Sequence, residues 1–77
     1  MTFPLTGKDF DLKKQKREQQ RSIRNLKIAI YHLNAVKKRE RDHTTARGID
    51  DAIDALKATM DGAHNRIDAL NQELKKL

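Results

Sequence analysis

The sequence predicts an all-α fold, an antiparallel two-helix hairpin with coiled-coil-like packing, and three observations lead there. Among 77 residues there are one Pro, three Gly, no Trp and no Cys, with 36% charged side chains, a composition that favours helix over strand. Apolar residues recur three and four apart in two separate stretches, which is the helical period. Between those stretches the charge changes sign, from Lys37, Lys38, Arg39 and Arg41 to Asp50, Asp51 and Asp54. Cations suit the end of one helix and anions the start of the next, because each opposes the partial charge of the helix terminus.

A six-residue N-terminal segment precedes the first helix, and the stretch "PLTGKDF" supplies its start signal. Thr6 is placed to cap the backbone N–H of Asp9, Asp9 to reach back to Thr6, and Leu5 to pack on Phe10 as a hydrophobic staple. The predicted basic helix spans about 7–41, with no Pro or further Gly after Gly7, on a seam of Ile23, Leu26, Ile30 and Leu33 that Val36 extends. A turn at about 42–46, within a reversal zone of 41–48, offers Thr44 or Thr45 as the next N-cap.

The second, acidic helix is predicted over about 46–76. Ile49, Ile53, Leu56, Met60, Ala63, Ile67, Leu70, Leu74 and Leu77 alternate steps of four and three, a coiled-coil seam sustained for four heptads. A reversal in the middle of the 41–48 zone would set Ile53 against Val36, Leu56 against Leu33, Ala63 near Leu26 and Ile67 near Ile23. Further along, the facing positions become Gln19 and Lys16, so Leu70 and Leu74 are expected to lack good partners. The apolar bulk of Phe3, Leu5, Phe10 and Leu12 is available to cover that open end or to dock on another molecule.

A domain of this size buries only around 60% of its unfolded surface. Without Cys, neither disulfides nor thiolate-bound zinc can compensate, which leaves oligomerisation as the common remedy. Ala52, Ala55, Thr59, Gly62 and Ala69 form a second row on helix two, interrupted by Arg66. Such a row predicts assembly into a four-helix bundle dimer, and a homo-oligomer as the working unit.

The positive charge belongs to the first helix: residues 1–41 carry 12 basic and 4 acidic side chains, and residues 42–77 carry 5 and 7. Lys14, Arg17, Arg21 and Arg24 follow a three-four-three spacing opposite the seam, and Ile28, Tyr31 and Lys38 continue the row. Two functions fit it. One is a small non-enzymatic adaptor or inhibitor binding a larger acidic protein through this face. The alternative is a nucleic-acid-binding regulator with the same cations on phosphates and Tyr31 stacked on a base. Ile28 and Tyr31 interrupt the charge where a groove-reading helix would more usefully carry Arg, Asn or Gln, which favours the protein partner.

Catalysis is not expected. Ser22 is the sole Ser, no Cys exists, and the Thr residues sit at caps and turns, so no nucleophile is held against a base. His32, His43 and His64 lack the i, i+4 pairing of a helical metal site. Asp54, Asp61 and Asp68 repeat every seven residues on one outer stripe rather than meeting as a catalytic pair. Neither a cofactor, a metal nor a small-molecule substrate is anticipated. The longest apolar run, Ile28-Ala29-Ile30-Tyr31, is far short of the roughly 20 residues a membrane span requires, and the expected compartment is the cytoplasm.

Overall fold

The computed structural model describes residues 6–77 as two helices, α1 (Thr6–Arg39) and α2 (His43–Lys75), joined by residues 40–42. They lie side by side as the predicted hairpin, with extensive α1–α2 contact. No described helix is long and apolar enough to cross a membrane. The Cα radius of gyration is 17.9 Å, against about 11–12 Å for a compact domain of this length. The molecule is a rod of 65 × 15 × 11 Å, one helix pair thick.

The reversal is shorter and earlier than expected, and its cap is neither Thr44 nor Thr45. Asp42 is the N-cap of α2, in extended conformation at φ −86°, ψ 122°. Its Oδ2 accepts from the Thr45 backbone N–H at 2.9 Å and from the Thr45 hydroxyl at 2.8 Å, while its carbonyl accepts from the Ala46 N–H at 2.9 Å. A carboxylate offers two acceptor oxygens and a full negative charge to the helix N-terminus, so it prevails over a neighbouring hydroxyl. The other free donors of the turn also find a carboxylate: Glu40 Oε1 accepts from the N–H groups of Arg41 at 3.1 Å and Asp42 at 3.0 Å. Lys37, Lys38 and Arg39 occupy the last turn of α1, as anticipated. Asp50, Asp51 and Asp54 do not open α2, which carries no acid in its first turn. Asp50 instead forms an ion pair with Lys37 across the hairpin.

Moving the turn moves the register. Two cross-helix contacts report it, Lys37 with Asp50 and the Arg66 guanidinium donating to Gln15 Oε1 at 2.9 Å. Both are centred between residues 40 and 44, below the 44–45 midpoint of the expected pairing, so α2 meets α1 closer to the α1 N-terminus, by about two residues at Asp50 and about eight, some two turns, at Arg66. Leu70, one turn beyond Arg66, therefore lies at the level of Leu12, not Gln19. Among the described residues it is the most deeply buried side chain at 2% exposure, and its expected lack of partners is corrected. Leu12 and Leu74 are half-buried with it. Val36, assigned to face Ile53, is 51% exposed. After Leu33 the alternation of three and four calls for position 37, so Val36 falls beside the seam.

Ile23, Ile53, Ala63 and Leu70 are the buried core among the described residues. Leu26, Ile30, Leu33, Leu56, Met60 and Ile67 are half-buried along the same seam. The expected Leu5 staple, the Phe3 contact and the Thr6 side-chain cap lie outside the described residues and side chains. Asp9, assigned to that cap, forms an ion pair with Lys13 at 3.2 Å.

Substitutions in the seam and at the turn test this account. Leu70→Ala should cost about 2–5 kcal/mol of folding stability in denaturant melts, the range for truncating a buried Leu, whereas Val36→Ala at its exposed site should cost under roughly 1 kcal/mol. At the turn, the hydrogen bond from the Thr45 hydroxyl, and secondarily that from its backbone N–H, holds the Asp42 carboxyl below its ordinary pKa. A depressed folded-state value contributes stability above the unfolded carboxylate pKa and loses it as pH falls through the folded one. Asp42→Ala should lower the melting temperature at pH 7, with the gap to the parent closing below about pH 4. Asp42→Asn, which keeps a capping oxygen, should fall between them.

Candidate partner-binding surface

Helix α1 carries a second regular row on the side away from α2. Stepping by four and three from Phe10 gives Lys14, Arg17, Arg21, Arg24, Ile28, Tyr31, Ala35 and Lys38 without a fault. At 1.5 Å per residue the row is about 42 Å long. The structure brings all seven predicted site residues onto this one face. Lys14, Arg17, Arg21, Arg24 and Lys38 are exposed, and none is ion-paired among the described residues. Cations one turn apart sit within the Debye length of roughly 8 Å at physiological salt, so they repel one another and are relieved by an anionic partner.

The apolar members are exposed too: Phe10 by 57%, Ile28 by 50% and Tyr31 by 71%. Large side chains left in water in one row are more informative than scattered ones. Sequence reasoning placed Phe10 with the N-terminal cover and omitted it from this face. The available signal was its position four residues before Lys14.

Two shallow depressions mark the row. One, of about 260 Å³, is lined by Tyr31, Asn34, Ala35, Lys38 and Arg39. The other, of about 210 Å³, is lined by Arg17, Gln20, Arg21 and Arg24. The first joins an aromatic to two cations, and the Tyr31 ring is held edge-on to His32 with centroids 5.6 Å apart. The second is wholly polar. Ile28 lies between them. Both depressions are open to solvent rather than enclosed.

No group of three or more His, Asp or Glu among the described residues could hold a metal ion. His32, His43 and His64 are exposed on α1, at the first residue of α2 and in its second half, and Asp54, Asp61 and Asp68 occupy an exposed outer row. Protein-family models, curated proteins and solved structures contain no match to this chain.

Proposed function

We propose that the chain is a small non-enzymatic interaction protein of the cytoplasm, an adaptor or inhibitor that binds a larger acidic protein through the outer row of α1. One observation carries the reading: Ile28 and Tyr31 stand exposed in the middle of a row of cations, none of them ion-paired among the described residues. Phosphates would be served by the cations alone, whereas an aromatic and an aliphatic residue flanked by charge is the make-up of a protein-binding hot spot with a polar rim. Arg17, Arg21, Arg24 and Lys38 would then steer and orient an acidic surface, and Tyr31 would anchor it.

The wholly polar depression of Arg17, Gln20, Arg21 and Arg24 supports the second reading, a nucleic-acid-binding regulator that uses the same face. The proposal also includes self-association into a four-helix bundle dimer. The hairpin exposes 6124 Å², roughly a quarter more than the about 4,800 Å² expected of a compact monomer of its mass. Two helices share one seam, and a second hairpin would supply another layer.

Partner recovery by affinity purification from the native host, followed by binding measurements on the recovered partner, tests the reading. For a protein partner, Tyr31→Ala should weaken binding at least about thirtyfold, the loss of a buried aromatic anchor, and more than Arg17→Glu or Arg21→Glu does. For a nucleic acid the ranking should reverse. The log–log salt slope should then approach −3 to −4 for about four phosphate contacts. Tyr31→Ala should leave the helical circular dichroism unchanged, since the ring lies outside the seam. Unaltered binding by all three variants would exclude this face.

A further inference from the structure

The two long flanks of the hairpin differ in chemistry. Lys37–Asp50 marks one, and its rows, reached by steps of seven from Asp50 and from Asn34, carry Lys57 and His64 on α2 and Lys27 and Gln20 on α1. The Gln15–Arg66 hydrogen bond marks the other. There the same steps give Ser22, Ala29 and Val36 on α1 and Thr59 and Ala52 on α2, and all but the half-buried Ala29 are exposed.

Three observations on the Gln15 flank are unexplained by the hairpin alone. Arg66 faces Gln15, while Asp11 and Glu18, in the next row of α1 and about one turn to either side of Arg66 in level, are exposed carboxylates with no ion pair among the described residues. The Thr59 hydroxyl donates to the Ala55 carbonyl at 3.0 Å, so its hydrogen-bonding need is met within α2 and its methyl is free to pack. Gly62 sits inside a helix, where Gly is disfavoured, yet its φ is negative and nothing lies within 4 Å of where a Cβ would be. No turn and no close neighbour within the chain requires a glycine there.

We infer that this flank is the interface with a second copy of the chain, stacked so that α1 of each hairpin lies over α2 of the other with both turns at the same end. The inference rests on the self-association proposed above and adds its face and orientation. Charge selects the stacking. Like over like would set one strongly basic α1 on another, whereas the inferred arrangement sets each basic α1 on the acidic α2 of its mate. Because both turns lie at one end, residues that share a level within a hairpin also share it across the interface. Arg66 then lies between Asp11 and Glu18 of the second copy, Ser22 lies over its Thr59, and the bulk of Glu18 meets the open space at its Gly62. The flank is about 50 Å long, from 33 residues of α2, and 15 Å wide. That gives roughly 750 Å² per copy, close to the about 800 Å² per partner of a stable interface.

The chain has no cysteine, so introduced thiols report unambiguously. Ser22→Cys and Thr59→Cys chains, mixed, unfolded, refolded together and oxidised mildly, should give a disulfide-linked heterodimer, and each variant alone should stay largely uncrosslinked. Both sites lie at mid-length, where like-over-like stacking brings each against itself. Strong self-crosslinking of either variant, or dimers without the mixed crosslink, would overturn the arrangement while leaving self-association standing. Sedimentation of the parent chain as a monomer at several hundred micromolar would overturn both. Gly62→Leu, open to solvent in a lone hairpin, should weaken the dimer at least tenfold. A dimer of unchanged affinity with that substitution would place the interface elsewhere.

Discussion

The turn at residues 40–42 is the constraint on which the rest of the hairpin depends. Two carboxylates close it, Glu40 on the N–H groups that leave α1 and Asp42 on those that start α2. Closing it there rather than a few residues later sets which turn of α2 faces which turn of α1 along the whole rod. Leu12 consequently meets the level of Leu70, which makes the open end of the hairpin its best-buried point. At the closed end, Lys37 takes the seam position with Asp50 beside it and Val36 is turned outward. The ion pair is itself worth little at such exposure. Its importance is as a marker of register.

Two helices offer each other one stripe apiece, so a hairpin cannot bury more than a single seam. Among the described residues, four buried side chains and a line of half-buried ones make it up. Almost everything else about the molecule is therefore surface chemistry, and the two helices divide that surface. The seam of α2 is apolar from Ile49 to Leu77, whereas the seam of α1 is diluted by Gln19, Lys16 and Lys37. What α1 lacks inside it carries outside, as a faultless second row from Phe10 to Lys38. The outer row of α1 is thus as regular as its inner one.

Helix type, the existence of two helices and the antiparallel pairing were legible in the sequence, because a three-four alternation is a local signal that survives without tertiary information. The turn was harder. Asp42, Thr44 and Thr45 are all competent caps within four residues, and the aspartates from Asp50 onward drew the expected start of α2 too late. Deciding among them required knowing that Thr45 serves the cap as donor, which is a matter of geometry. The Leu70 error followed from that one displacement, since a shifted turn rewrites every cross-helix pair at once. The candidate face was readable as a row because it too is periodic. Phe10 was missed because its neighbours suggested a staple, a competing use of the same residue.

The proposed partner face and the inferred self-association face occupy different sides of α1, and this separation has a consequence for binding. The row from Phe10 to Lys38 points away from α2, while the Gln15 flank lies about a third of a turn round the helix. A dimer joined on that flank would leave both basic rows uncovered, one on each outer edge of the bundle. Two identical faces held in a fixed relation favour a partner that presents its acidic site twice, because the second contact becomes intramolecular and avidity exceeds single-site affinity by about 10²–10⁴ when the geometry permits. For one small face of exposed cations and three apolar side chains, duplication is a more effective route to tight binding than further charge, which salt would screen. In that arrangement the charge asymmetry between the helices would serve both ends: it would align basic α1 on acidic α2 inside the assembly and leave the surplus positive charge on the outer edges, within reach of a partner.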